Sequence, residues 1–410
     1  MSLFSYLIEY HRYMNFFGIA LVFLIALLFS RKRSAINIRQ IIIGFVMQVI
    51  LALVMLKTTT GNIVVGKIAD GVGLLYRAAD NGIEFLFGNL ANPQGPWGFI
   101  FAIKVLPIMI FFGALMSLFY QWGLIQRVVM IINYVVQPLL GTTGPESLCA
   151  IANSFLGQTE APLVIRHYLE KMTRSEILVV MVSGMGTISG SILAVYASMG
   201  IPVQHLLTAS IMAIPATIII AKILYPAFDE QVATDQIFMD APEGNTFDAL
   251  AQGTRDGLFL ALNVGAMLIA FLSLIGLINT ILAWLCTVTT MPCLSLQKML
   301  GYICAPVAWC MGFLGQEMIT AAELIGIKIA ANEMIAFTSL LSYSLSERTI
   351  AILTYALCGF SNFSCIGIQI GGIGALVPSK RFVLSELGLY AVLGGALANL
   401  LSAFIVGLII

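Results

Sequence analysis

Apolar residues dominate this chain, and the few polar interruptions divide it into elements. A run of about 20 apolar residues crosses the hydrocarbon core of a bilayer as a helix. Residues 14–30, 41–56, 97–122, 175–199, 206–225, 258–285, 349–371 and 382–410 are read on this basis as eight transmembrane helices. Two further stretches are apolar but broken. Residues 148–165 enter, turn at Gly157 to Glu160 and return, and each limb is only about half the length needed to cross. Residues 313–345 repeat the pattern around Asn332 and Glu333. Both are expected to be re-entrant helical hairpins. Irregular backbone at that depth has to be buried in protein or line a wet cavity.

Three stretches are amphipathic instead. In residues 58–88, Ile68, Val72, Leu75, Ala79 and Ile83 recur at helical spacing, with Lys67, Asp70, Arg77, Asp80 and Glu84 between them. Such a stretch lies along an interface, and residues 124–140 and 294–310 read the same way. Residues 226–249 carry six acidic side chains, Asp229 to Asp248, and form a solvated linker. Lys104 falls inside the third span and is expected to snorkel to the outer headgroups.

The order interfacial helix, hairpin, Gly-rich span occurs at 124–199 and again at 294–371. The basic clusters Arg31 to Arg39 and Lys380-Arg381 belong on the cytoplasmic side, and the six spans between them satisfy that parity. The first hairpin follows an odd number of spans and the second an even number. They should therefore enter from opposite faces, as an inverted repeat requires. The fold class expected is an all-α polytopic membrane protein. Its divisions are a scaffold unit at 1–122, a first transport repeat at 123–228, an acidic loop with a scaffold span at 229–290, and a second transport repeat at 291–410.

Composition agrees: 60% of the 410 residues are hydrophobic and 10% charged, well below the roughly 25% of a soluble domain. A net charge of zero and no basic arm argue against nucleic acid as a partner. The seven cysteines show no metal-ligand spacing; Cys286 and Cys293 lie close in sequence and could pair on an oxidising side, with free apolar cysteines as the alternative. There is no H-E-x-x-H or G-x-S-x-G motif, and every aspartate lies outside the apolar spans. An enzyme would have to use Glu160 and Glu333 as its pair. A channel would need a ring of like groups around one pore, which opposed hairpins do not supply.

A carboxylate inside an apolar run is costly and by default marks a pathway or binding site. Around Glu160 and Glu333 stand the amides of Gln158 and Asn362, the hydroxyls of Thr159 and Ser364, and the ring of Phe360. Neither hairpin tip contains arginine or histidine, which disfavours an anionic substrate. A neutral, polyhydroxylated molecule with a flat ring suits this set, and concentrating it requires a cation to travel with it. Capping of broken helices is the competing role for Asn153, Glu160 and Glu333. Phe360 could be simple packing, and Lys328 a counter-charge for Glu323.

Residues Gly326-x-Lys328-x3-Asn332-Glu333 followed by Ala336-Phe337 resemble the signature of the concentrative nucleoside transporter family. Gly157-Gln-Thr-Glu-Ala-Pro162 and Cys358-Gly-Phe-Ser-Asn362 resemble two more of its segments, and the likeness runs over essentially the whole chain. The resemblance implies a homotrimeric symporter of the bacterial inner membrane that moves by an elevator-like motion and takes up uridine-like nucleosides. It implies that Gln158, Thr159 and Glu160 meet the base with Phe360 against it, and that Glu333, Asn362 and Cys365 face the ribose. Cys365 stands where the family usually has serine. Asn153 and Thr187, with the carbonyls of Leu156 and Ile188, resemble a sodium site; the alternative is a proton carried by Glu160. No other cofactor is implied.

Overall fold

The computed structural model describes residues 3–92, 95–227, 244–289 and 295–410. All regular structure among them is helical. Six helices are long and apolar enough to cross a membrane, or eight if two bent pairs each count as one span. After a short helix at Leu3–Ile8 and a 3-10 turn at Glu9–His11 come α1 (Met14–Leu28), α2 (Ile38–Lys57), the long amphipathic α3 (Thr59–Phe87) and, behind a single turn at Phe101–Lys104, α4 (Leu106–Gln121). The amphipathic α5 (Leu124–Leu140) leads into the first hairpin, whose entering limb is α6 (Gly144–Ala152) and whose returning limb is a 3-10 turn at Ala161–Ile165. Next come α7 (Arg174–Gly186), α8 (Gly190–Ser198), α9 (Val203–Leu224) and α10 (Thr246–Thr289). The second half repeats the order with α11 (Leu296–Cys310), the hairpin α12 (Gly315–Ala330) and α13 (Glu333–Leu340), then α14 (Glu347–Leu357), α15 (Ser364–Leu376) and α16 (Arg381–Ile409).

Two of the expected spans are broken in the middle. The fourth is α7 and α8, separated by extended backbone at Thr187 and restarted by Ser189, whose hydroxyl accepts from the Ile192 N–H. The seventh is α14 and α15, separated at residues 358–363 and so not one continuous helix. Hydropathy averages over a run and is blind to such breaks, because the few polar residues in them (Thr187, Ser189, Ser361 and Asn362) are outweighed by apolar neighbours.

Burial sorts the spans. In the most apolar 18-residue stretch of Arg174–Ser198, Val203–Leu224 and Pro378–Ile409 about nine-tenths of the residues are buried, against 6% in that of Thr246–Val288, which presents its apolar surface outward. At 44 residues, α10 rises about 66 Å, roughly twice the hydrocarbon thickness, so it must tilt or project. It begins at Thr246, so the last acidic residue of the expected linker, Asp248, lies on a helix; the linker's Asp229 to Glu243 and Cys293 are outside the described residues. A seam of small residues joins α10 to α4: a Cβ on Gly257 would stand 2.5 Å from the Met109 carbonyl oxygen, and one on Gly253 2.5 Å from Ser117 Cβ. Close backbone approach of this kind is what holds helices together in lipid. By contrast α1 and α2 pack on the buried helices. Phe404 of α16 fills the space beside Gly18, Gln48 donates to Ser402 Oγ at 2.9 Å, and the Arg31 N–H donates to the Leu224 carbonyl at 2.9 Å.

The two hairpins start at opposite ends of α16. At one end Arg174 pairs with Glu386 (2.7 Å), Lys380 donates to the Met172 carbonyl, and Ser175 donates to the Tyr225 carbonyl. The first hairpin starts there, where Glu146 of α6 is ion-paired to Lys222 of α9 at 2.7 Å and Thr143 donates to Glu176. At the other end Arg12 and Arg348 donate to the Ile410 carbonyl, and Glu317 at the start of α12 accepts from Thr349. Both basic clusters lie at the first end, as the parity argument requires.

Two lysines depart from expectation. Lys104 does not snorkel: it is buried and ion-paired with Asp80 of α3. Lys328 is not a partner of Glu323, whose side chain lies beside Gly301; its ammonium donates to the Ala356 carbonyl (2.9 Å) and Asn399 Oδ1 (2.7 Å). In each case the chosen partner is one that only the folded chain brings near.

Removing one member of a buried ion pair leaves a stranded charge and costs about 3–5 kcal/mol. Lys222→Met should therefore lower the melting temperature of the detergent-solubilised protein sharply. Glu146→Gln/Lys222→Met should recover most of the loss, because glutamine keeps the bond to the Thr143 N–H. Thermal unfolding of the three proteins checks this, and a double variant as unstable as the single one contradicts it.

Candidate substrate and ion site

The breaks and tips meet in one place. Glu333 is the first residue of α13, preceded by Asn332, whose side chain caps the helix by accepting from the Ile335 N–H at 2.8 Å. Such a cap contributes about 1 kcal/mol and fixes where Glu333 points. The Glu333 carboxylate is buried and accepts from Tyr196 Oη (3.1 Å) and Asn362 Nδ2 (3.2 Å). Asn362 in the α14–α15 break accepts through Oδ1 from Ser364 Oγ (2.6 Å) and the Cys365 N–H (3.1 Å). Cys365 Sγ in turn accepts from Gln158 Nε2 of the first hairpin at 3.4 Å. One unbroken path of hydrogen bonds thus runs from the second hairpin through the broken helix to the first.

The amide of Gln158 has its direction set from behind. Gln369 of α15, fully buried, donates both to the Met181 carbonyl (2.9 Å) and to Gln158 Oε1 (3.2 Å). A backbone carbonyl only accepts, so Gln369 must present its NH2, Gln158 must answer with its oxygen, and the Gln158 NH2 is left facing Cys365. A Cβ at position 184 would lie 2.8 Å from Gln369 Nε2, which is why that position of α7 is glycine.

The other expected site residues are placed differently. Phe360 is half-buried in the α14–α15 break, on the segment that carries Asn362. Thr159 is exposed and lies against Gly372 of α15. Glu160 is exposed as well, and its Oε2 accepts from the Gly157 N–H at 3.2 Å within its own turn. The two carboxylates are therefore unlike: Glu333 is held inside the polar path, while Glu160 closes a turn at its edge. Tyr196, Gln369 and Asn399 were not anticipated. Each is a hydrogen-bonding side chain in a mainly apolar helix, and a search for buried amides and phenols as well as carboxylates would have found them.

Beside this path Asn153 and Thr187 are brought together by Ser183, and Cys149 Sγ also accepts from Asn153 Nδ2 at 3.7 Å. Asn153, 1% exposed at the end of α6, donates through Nδ2 to Ser183 Oγ at 2.9 Å. Its Oδ1 is buried with no hydrogen-bond donor among the described residues. Thr187, at the α7–α8 break, donates to the Ser183 carbonyl at 2.7 Å, so one residue holds both side chains. Leu156 and Ile188 are buried next to them in sequence, and the Gly190 N–H donates to the Phe155 carbonyl, tying the hairpin turn to the break. An orphaned buried oxygen with hydroxyl and carbonyl neighbours fits a hard monovalent cation and not a soft metal. No cluster of three histidine, cysteine or acidic side chains exists among the described residues.

Three family models cover the chain: the Na+ dependent nucleoside transporter N-terminus at residues 17–90, nucleoside recognition at 102–203, and the Na+ dependent nucleoside transporter C-terminus at 205–407. The nucleoside permease NupC of Helicobacter pylori is 43% identical over 404 residues, with 96% of each chain covered. The chain belongs to the concentrative nucleoside transporter family. The rat sodium/nucleoside cotransporter 1 is 35% identical over 96% of this chain and 63% of its own. A solved structure of CNTnw, inward-facing and substrate-bound, superposes with a TM-score of 0.90 at 37% identity, covering 96% of this chain and 98% of CNTnw. An outward-facing CNTnw superposes with a TM-score of 0.92 over 97% of both chains. This family membership makes the protein a multi-pass membrane transporter and not an enzyme.

Proposed function

We propose that this protein is a sodium-coupled symporter that takes up nucleosides across the bacterial inner membrane. The observation that carries this reading is the hydrogen-bonded path from Glu333 through Asn362 and Cys365 to Gln158, which puts a charged acceptor, amides and hydroxyls where two opposed hairpins meet. Ribose hydroxyls would donate to Glu333 and exchange with Asn362, displacing bonds that the side chains now make to each other. The base would lie against Phe360 and meet the NH2 of Gln158 that now faces Cys365, with Thr159 and Glu160 at its edge. Uridine has the donors and acceptors this set requires. Sodium would sit on Asn153 Oδ1, Thr187 Oγ1 and the carbonyls of Leu156 and Ile188, and its charge would supply the driving force that a neutral solute lacks.

The packing also suggests what moves. The hairpins, the broken helices, α9 and α16 form one buried body, and α1 and α2 are attached to it. We therefore assign residues 14–57 to the moving part, in place of the scaffold unit drawn from the sequence at 1–122. The glycine-seamed pair α4 and α10, with outward apolar faces, would form the fixed scaffold, and a homotrimer built on that pair would leave the buried body free to slide as an elevator.

Radiolabelled uridine uptake into proteoliposomes, with sodium and proton gradients imposed separately, tests the reading; uptake should follow sodium. Glu333→Gln removes a charged acceptor worth about 1.5–3 kcal/mol, so the KM for uridine should rise at least about tenfold. Asn153→Ala should raise the sodium concentration for half-maximal uptake by about an order of magnitude, since losing even an outer partner of a bound metal costs ~10–100-fold. Cys365→Ser replaces a weak sulfur acceptor by oxygen and should leave uridine affinity equal or tighter. Normal uptake by Glu333→Gln, an unshifted sodium curve, or a strong loss with Cys365→Ser would each count against the corresponding assignment.

A further inference from the structure

One buried amide touches both helix breaks. Asn399, 2% exposed near the middle of α16, donates through Nδ2 to the Gly186 carbonyl at 2.7 Å and to the Cys358 carbonyl at 2.9 Å. Its Oδ1 accepts from the Lys328 ammonium at 2.7 Å and from Ser361 Oγ at 3.3 Å. Gly186 is the residue before Thr187, in the segment that carries the proposed sodium ligands. Cys358 and Ser361 flank Phe360 and precede Asn362, in the segment that carries the carboxylate's partner. Lys328 lies on α12, the limb that leads to Glu333, and also donates to the Ala356 carbonyl at the end of α14. Three segments from both halves of the chain converge on a single side chain.

The chemistry leaves this amide one orientation. Two backbone carbonyls can only accept and an ammonium can only donate, so the NH2 must face the breaks and the oxygen must face Lys328. The last carbonyls of a helix lack intrahelical donors, and inside a membrane there is no water to supply them. Asn399 meets this need for α7 and α14 together, and the ammonium bond to its oxygen is of the stronger, charge-assisted kind. The joint has no slack: a Cβ on Gly359 would stand 2.4 Å from Asn399 Oδ1. A cation that draws the Gly186–Ile188 backbone inward therefore shifts the Asn399 amide, and the amide shifts the Cys358–Ser361 backbone that positions Phe360 and Asn362.

We propose that Asn399 is a positioning residue through which cation binding at Asn153 and Thr187 and nucleoside binding at Glu333 and Asn362 are thermodynamically coupled. This rests on the sodium-symport reading above. Coupling between two sites is reciprocal and typically changes affinity ~5–150-fold. Its size is measured separately from either affinity, which a merely structural role would lower without changing their ratio.

The experiment is uridine binding to the purified full-length protein in detergent, by calorimetry, in sodium and in choline. In the wild type, sodium should tighten uridine binding about tenfold or more. In Asn399→Asp, which keeps the oxygen facing Lys328 but loses both donors, the ratio should fall to about twofold or less, and likewise in Asn399→Ser. Variants that keep the wild-type ratio, whatever their absolute affinities, overturn the inference. A wild type that binds uridine equally in sodium and choline overturns the sodium reading instead. A second measurement needs no variant: sodium alone should slow amide hydrogen exchange at residues 358–363 of the wild-type protein. No change there, in a protein whose uridine affinity does respond to sodium, also overturns the inference.

Discussion

Inside a bilayer every backbone N–H and C=O must find a partner in the protein, and this chain breaks its helices where that is hardest to arrange. The breaks at Thr187 and at residues 358–363, and the turns at residues 153–160 and 331–332, free polar backbone in a region built almost wholly from apolar residues. The side chains that answer them are few and nearly all buried: Asn332, Lys328, Asn362 and Asn399. Most bridge two segments rather than serving one. The candidate site is thus a consequence of satisfying broken helices, and a solute with hydroxyls and amide-like edges can replace protein partners one for one.

The molecule also divides by burial. Helices without breaks, α4 and α10, hold each other by close glycine contacts and turn their apolar surfaces outward. The broken span α7–α8 is sequestered together with the unbroken α9 and α16, and the Glu146–Lys222 pair ties the first hairpin to α9 at one end. A buried pair of this kind costs desolvation, and its value lies in fixing one arrangement of hairpin against helix. On the proposed reading, a body so internally bonded moves as a unit, and its contacts with the α4–α10 pair are where sliding would occur.

Much of this was legible in the sequence because hydropathy records depth. The two half-length apolar limbs around Gly157 to Glu160 and around Glu333 reveal the hairpins, and the odd and even numbers of spans before them give their opposite entry. Partner choice was not legible. Lys104 and Lys328 look alike as lysines within apolar runs, yet one meets an aspartate on an amphipathic helix and the other an asparagine 71 residues away. Glu160 and Glu333 likewise look equivalent, but only Glu333 sits at a helix start that faces Tyr196 and Asn362. The amides of Gln369 and Asn399 escaped notice because a neutral side chain leaves no mark on charge or hydropathy averages; only its fixed donors and acceptors give it meaning once the helices are packed.

The central claim is that the two hairpin tips and the α14–α15 break enclose one nucleoside. Its most direct measurement is anomalous diffraction from crystals of this protein grown with 5-bromouridine and sodium. The account predicts a single bromine peak per chain between Gln158 and Phe360, with the ribose toward Glu333 and Asn362. A peak outside that space, or none at saturating ligand, would contradict it.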